Sequence, residues 1–228
     1  MSTTSLGQLR RFWESCHLDA AGWADAADRF ERYRRLILAH KDRAGLMGRV
    51  SEEDFHLKHL ADSLAVLAVW PDLPAGVAEL ADVGCGAGLP GIVLAVAIPE
   101  LRVTAIESNR AKADFVAMAA AELHLADRVE VVARRSRELA GDARYAGRFG
   151  VVVARAVAAA DKVTRDTRRL LAPGGSIVLY KTPAAVAEEM PLAAREAGKY
   201  GLSVEASDPV ALPGGAGTRQ FLRITRGT

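Results

Sequence analysis

From residue 77 onward, short apolar runs alternate with helix-patterned segments, and that alternation restricts the chain to few folds. The runs lie at 77–83, 101–106, 128–132, 149–154 and 175–180. Between them, at 89–97, 109–124, 136–140 and 160–171, apolar residues recur at helical spacing. Strand then helix, repeated, predicts a parallel sheet covered on both faces. The end of the chain breaks this order. A helix near 184–199 is followed by strand candidates at 202–211 and 219–225, joined by LPGGAGTRQ with no helix between them. Two strands with a glycine-rich connection predict an antiparallel hairpin at the sheet edge.

Residues 1–75 look different: they read as helical, with no convincing strand. Helical spacing is clearest over 22–40 and 53–69, where Phe55, Leu57, Leu60, Leu64, Leu67 and Ala68 approximate one stripe. Ser51 followed by Glu53 and Asp54 has the form of a helix start with acids in its first turn. Pro71 and Pro74 then close the unit, so the expected division is a helical cap over 1–75 and a core over 76–228. With 228 residues, half of them apolar and a quarter charged, the chain can bury a core of useful size.

Several classes are disfavoured. The longest apolar run, Leu89 to Ile98, is interrupted by Pro90 and Gly91 and ends at Pro99, so it is too short to span a bilayer. The start MSTTSLGQLRRFW lacks the apolar stretch of a signal peptide. Cys16 and Cys85 are too few for a disulfide framework or a zinc site, so a reduced cytoplasmic setting and no metal are expected. A net charge of +2 does not announce a nucleic-acid binder. Its distribution says more: residues 29–43 hold Arg29, Arg32, Arg34, Arg35, Lys41 and Arg43 against Glu31 and Asp42. Such a helix is either a solvated face or a phosphate-facing patch.

The stretch ADVGCGAGLPG at 81–91 follows the first apolar run and carries the ligand question. Gly86, Gly88 and Gly91 fit the dinucleotide fingerprint, a weak pattern by itself. Asp82 stands two residues before Gly84, where the first strand ends. A carboxylate there would repel a diphosphate and suits a cofactor with a cationic end, which favours S-adenosylmethionine over NAD. Glu107 ends the second strand and suits the ribose hydroxyls of either cofactor, or else serves as an acid at the start of the helix that follows. Cys85, inside the turn, reads as a buried small residue rather than a nucleophile. His59 and Asp62, three apart on one helix face, would bond each other or a neighbouring strand, most simply to fix the cap on the core.

Several stretches together resemble the bacterial small-subunit ribosomal RNA guanine-N7 methyltransferase family, RsmG or GidB. They are HLKHLADSLAV at 56–66, ADVGCGAGLPG at 81–91, AIES at 105–108, VARRSREL around Arg135, VVVARAVA at 151–158 and APGGSIVLYK at 172–181. The resemblance implies an α/β fold, a Rossmann-like class I S-adenosylmethionine-dependent methyltransferase. Its sheet would be doubly wound, mostly parallel and seven-stranded, with an antiparallel C-terminal hairpin and the N-terminal helical cap. By the motif match, Asp82, Gly84, Gly86, Gly88 and Leu89 would line the methionine and ribose part of the cofactor. Glu107 would hold the ribose, with Ser136 and Arg137 near the adenine. Arg155 would face both cofactor and substrate and Lys181 would point into the same mouth, both as positioning groups. Arg35, Lys41, Arg135 and Arg219 would meet RNA.

The chain departs from that family at Gly45-Leu46-Met47, where a polar residue is usual, and at His40, Arg137 and Gln220. The expected reaction is methyl transfer to N7 of one guanosine in small-subunit ribosomal RNA, by a monomer that acts on the RNA or its assembly intermediates. The alternative is a methyltransferase of the same fold acting on a small molecule or another RNA. Guanine N7 carries a lone pair and no proton, so the attack needs no general base. Orientation and desolvation should carry the rate.

Overall fold

The computed structural model describes residues 4–46, 50–71, 73 and 79–226. Helical segments precede the sheet: α1 (Ser5–Ser15), α2 (Trp23–Ala44) and a continuous rod. The rod runs from α3 (Glu52–Asp54) through a π-helical stretch at Phe55–Leu60 into α4 (Ala61–Val69). Capping follows the sequence. Thr4 accepts from the Gly7 amide at 3.2 Å and Ser51 from the Asp54 amide at 3.0 Å, each satisfying a donor that a helix start leaves free.

The core then alternates as expected: β1 (Glu79–Val83), α5 (Gly91–Ala97), β2 (Arg102–Ile106), α6 (Arg110–Glu122), β3 (Val129–Val132), α7 (Ser136–Leu139), β4 (Phe149–Arg155) and α8 (Ala160–Thr167). β5 (Leu171–Lys181), α9 (Pro183–Gly198), β6 (Leu202–Ala206), β7 (Val210–Ala211) and β8 (Thr218–Arg226) complete it. The order across the sheet is β3-β2-β1-β4-β5-β8-β6. The first five strands are parallel, whereas β8 runs antiparallel to both β5 and β6. That path has the seven expected strands, and the two-residue β7, paired to β8, is an addition. Val83 stands opposite Ile106 of β2 and Ala154 of β4, so the carboxyl ends of the three central strands lie level.

Some boundaries differ from the sequence reading. The helix expected over 160–171 is α-helical to Thr167 and continues as a 3₁₀ turn to Leu170, and Leu171 already belongs to β5. β5 thus includes Pro173, Gly174 and Gly175. It bulges there because its register against β4 shifts between the Phe149–Leu171 and Val151–Ser176 pairs. A Cβ on Gly175 would lie 2.8 Å from the Phe149 carbonyl oxygen, so only glycine permits that approach. The π-helical stretch inside 53–69 has no signature in apolar periodicity. The expected cap–core boundary at 75/76 and Pro74 fall outside the described residues.

One apolar cluster joins the cap to the sheet. Phe30, Tyr33, Ile37, Leu60 and Leu64 pack with Ile92, Phe115, Val116 and Val153, so the cap covers the sheet face that α5 and α6 also cover. The opposite face carries Val163, Ala193 and Ala197 over Phe149, Val152, Ile177 and Leu222. At the cap's end an aromatic stack crosses to the sheet, with Trp70 6.0 Å from Phe221 and Phe221 4.9 Å from Tyr180 between ring centres. The Tyr180 hydroxyl donates to the Ser63 carbonyl of α4 at 2.9 Å. Phe221→Ala should therefore lower stability by about 3–5 kcal/mol. Denaturant melts would read that loss, and an unchanged midpoint would remove the stack as a fastener of cap to core.

Candidate functional site

β1 delivers the chain into the glycine turn at the carboxyl edge of the sheet, where ligands of such sheets bind. Gly84, Gly86 and Gly88 have φ of +67°, +57° and +95°, values that side chains disfavour. Backbone bonds lock the turn: the Gly84 amide donates to Ile106 O at 2.8 Å, and the Gly88 and Leu89 amides return to Cys85 O at 2.8 and 2.9 Å. A Cβ on Gly84 would lie 2.7 Å from Val157 Cγ2, and one on Gly88 would lie 2.7 Å from Ile92 Cγ1 and 3.0 Å from the Tyr33 hydroxyl. Tyr33, on α2 and buried, donates its hydroxyl to Ala87 O, so the cap braces the turn directly. Leu89 and Cys85 are buried behind it, and burial pushes the Cys85 thiol well above its ordinary value. A thiol so held is a packing group.

Asp82 is turned inward. Its Oδ2 accepts the Gly91 amide at 2.7 Å, at the first residue of α5, while its Oδ1 has no partner. Burial raises its carboxyl from 3.8 to about 7, against the opposing effects of the Gly91 bond and Arg155. The last glycine of the dinucleotide fingerprint, Gly91, is thereby explained by packing. A Cβ there would lie 2.8 Å from Asp82 Oδ2.

Glu107, one strand over, accepts the Gly86 amide on Oε2 at 3.0 Å and the Asn109 amide on Oε1 at 2.8 Å. The Asn109 bond matches the reading of an acid at the start of α6, and the Gly86 bond ties the carboxylate to the glycine turn. Beside it opens a cleft of about 200 Å³ lined by Gly84, Ser108, Arg135, Ser136, Arg137, Val157 and Lys162, among others. Ser136, Arg137 and Arg135 are thus brought together along one wall of this cleft. Val157 has no mark in the sequence that points to the site. It sits over Gly84 and is 44 % exposed, an apolar wall at a polar opening. Ala156, with φ of +55°, turns the chain so that Arg155 and Val157 part company.

At the neighbouring strand ends the basic residues are paired. Arg155 donates Nη1 to Asp62 Oδ2 at 3.0 Å, and Arg219 donates Nε to Asp62 Oδ1 at 2.5 Å. The Asp62 carboxylate thus bonds strands rather than His59. Burial, then Arg155, holds the His59 imidazole below its ordinary value. Lys181 does not project freely into the mouth: it contacts Glu189 of α9 at 2.8 Å and Ala158 O at 3.0 Å. Glu189 also accepts the Ala160 amide at 2.6 Å, so the lysine anchors the loop after β4.

The basic helix is partly neutralised by its own acids. Arg29 pairs with Asp25, and Arg34 with Glu31 and Glu52. Arg35 is exposed and, among the described residues, reaches only the Glu31 carbonyl, at 3.4 Å. Lys41 lies on α2, but its side chain falls outside what is described, as does Met47 of the Gly45-Leu46-Met47 departure. Among the described residues, Glu31, Glu52 and His56 could face a metal ion. Arg34 already supplies the cation, 3.1 Å from Glu31 and 3.6 Å from Glu52. No helix among the described residues is long and apolar enough to cross a membrane.

A sheet in this order, with a glycine turn after β1 backed by an acid after β2, defines the Rossmann-like S-adenosylmethionine-dependent methyltransferase class. The fold is similar to an O-methyltransferase from Bacillus cereus in complex with S-adenosylhomocysteine (TM-score 0.59, 17% identity, covering 88% of this chain and 91% of that one). It is also similar to the O-methyltransferase TomG from Streptomyces achromogenes, in complex with S-adenosylmethionine (TM-score 0.57, 18% identity, 86% and 89%). Residues 26–206 match the family model GidB, rRNA small subunit methyltransferase G. Relatives named ribosomal RNA small subunit methyltransferase G include one from Deinococcus radiodurans, 36% identical over 96% of this chain and 83% of its own length. Another, from Solibacter usitatus, is 36% identical over 85% and 87%. The chain belongs to the GidB family.

The buried Asp82 generates a pH prediction. Because folding raises its carboxyl from 3.8 to about 7, its effect on stability is most favourable below pH 4 and worsens as pH rises to about 7. Asp82→Asn should melt higher than the parent at pH 8, with the gap closing towards pH 4. Parallel melting curves across that range would show that Asp82 is ionised throughout.

Proposed function

We propose that the protein transfers a methyl group from S-adenosylmethionine to N7 of a guanosine in small-subunit ribosomal RNA. The observation that carries this reading is the glycine turn of a GidB-family chain tied to Glu107, with the Gly86 amide 3.0 Å from its Oε2. Two features suit S-adenosylmethionine. The turn leaves Gly86 with no side chain near its Cβ position, and the buried Asp82 holds the turn in shape from behind by tying the start of α5 to β1. Gly84, Gly86 and Gly88 would hold its amino-acid end and ribose, Glu107 would accept from the ribose hydroxyls, and Ser136 would lie towards the adenine. When bound, the cofactor supplies an electrophilic methyl group on a sulfonium.

The chain's own task is placement. Guanine N7 has no proton to lose, so the side chains at the mouth need only orient the base and exclude water. Positive charge builds on the purine as the methyl arrives. Lys181 is paired with Glu189, so it sets no uncompensated cation against the ring.

RNA recognition is read from the rim. Arg135, Arg137 and Lys162 are exposed and line the cleft, with no acidic partner within ion-pair distance among the described residues. S-adenosylmethionine is itself a net cation, so these groups fit phosphate better than cofactor. That moves Arg137 from the cofactor to the RNA. With such a substrate the reaction belongs to the cytoplasm, carried out by a monomer acting on the small subunit or its assembly intermediates.

Incubation with methyl-labelled cofactor and either small subunits or naked RNA, followed by nucleotide digestion, should yield labelled 7-methylguanosine. Label confined to protein or small metabolites would overturn the proposal. Glu107→Ala should weaken cofactor binding by ~1–3 kcal/mol in calorimetry. An unchanged affinity would leave Glu107 as a brace of the turn alone. The Arg137→Gln, Lys162→Gln double variant should reduce the salt slope of RNA binding by about one to two, with cofactor affinity kept. An unaltered slope would exclude the rim from the RNA interface.

A further inference from the structure

Asp62 is the acid at the mouth that meets two cations. It sits on α4 of the cap with a side chain 4% exposed, and its two oxygens take one guanidinium each. Arg155 comes from the end of β4 and Arg219 from the second residue of β8. Each guanidinium carries five N–H donors in a rigid fork, and Asp62 engages one nitrogen on each. Among the described residues neither arginine has another hydrogen-bond partner within reach. Both are largely withdrawn from water, at 16% and 24% side-chain exposure.

Asp82 lies within electrostatic reach of Arg155, but burial pushes its carboxyl towards the neutral form, so it cancels little of the trio's charge. Two arginines share one carboxylate, which leaves an excess positive charge. Lys181 nearby is already matched by Glu189. The Tyr180 hydroxyl is spent on Ser63 O. Half-buried donors with excess positive charge call for an anionic acceptor. The chain provides the fork and its holder, and an anionic ligand at the mouth would supply a charged acceptor.

We propose that Asp62 is a positioning residue that sets Arg155 and Arg219 side by side, so that their remaining N–H donors bind one oxyanion at the mouth. The oxyanion is the carboxylate of the cofactor's amino-acid end or a phosphate of the RNA next to the target base. Because Asp62 belongs to the cap and both arginines to the sheet, the oxyanion site exists only with the cap docked. The proposal rests on the methyltransferase reading and adds to it a residue that never touches the reacting atoms.

Asp62→Asn keeps the shape and removes the charge, and Asp62→Glu keeps the charge. Affinities for S-adenosylmethionine and for 5′-methylthioadenosine, which lacks the amino-acid end, are measured by calorimetry, alongside KM for small subunits. If the oxyanion is the cofactor carboxylate, Asp62→Asn weakens S-adenosylmethionine about tenfold or more and leaves methylthioadenosine unchanged. If it is RNA phosphate, KM for small subunits rises by a similar factor and cofactor affinity holds. In either case Asp62→Glu recovers part of the loss. A protein that melts lower but binds both ligands as the parent does would overturn the proposal and leave Asp62 as a fastener. Should Asp62→Asn fail to fold, Arg219→Gln, which leaves the Asp62–Arg155 pair in place, decides the same point: unchanged affinity for both ligands overturns the proposal. A parent protein that labels no RNA would sink the ribosomal reading, and the cofactor comparison alone would then judge Asp62.

Discussion

Everything at the mouth depends on how the five residues after β1 are held. Three of them have left-handed φ, a conformation that would relax if nothing opposed it. Four restraints oppose it: Ile106 O, Glu107, the Cys85 carbonyl and, from the cap, the Tyr33 hydroxyl. The sheet supplies the first two because Val83 and Ile106 end their strands at the same level, and the turn supplies the third itself. The cap supplies the fourth, which is why a helical layer far from any ligand in sequence belongs to the site. Asp82 completes the frame from below by tying the start of α5 to β1.

Charge is distributed to match. Cations that point inward at the strand ends have acids beside them, Glu189 for Lys181 and Asp62 for the two arginines. On the rim of the cleft Arg134 pairs with Asp142, whereas Arg135, Arg137 and Lys162 have no acid within ion-pair distance among the described residues. The rim thus carries positive charge, as the proposed contact with RNA phosphates requires.

Much of this is legible in the sequence. Buried parallel strands are short apolar runs, so β1 to β4 fall within two residues of their expected limits. The glycine turn and Glu107 are legible because backbone conformation and strand ends leave local marks. Long-range pairing leaves none. Asp62 and Arg155 are 93 residues apart, and helical spacing offers His59 as the partner although the strands take the carboxylate. Lys181 and Glu189 lie on a strand and the following helix, eight apart, at no spacing that signals a pair. The basic helix is the opposite case. Its Asp25–Arg29 and Glu31–Arg34 pairs stand at helical spacings, so the partial neutralisation of that face could have been read. Tyr33 carries a weaker signal, an apolar ring in a charged segment.

If the restrained turn at Gly84–Gly88 is where S-adenosylmethionine binds, a crystal structure of the protein with S-adenosylhomocysteine will show it. The ribose hydroxyls should lie on the Glu107 carboxylate, the amino-acid end against the glycine turn and the adenine in the cleft beside Ser136 and Val157. Ligand density elsewhere, or a ribose that leaves Glu107 bonded only to Gly86 and Asn109, would show that the turn is braced for some other purpose.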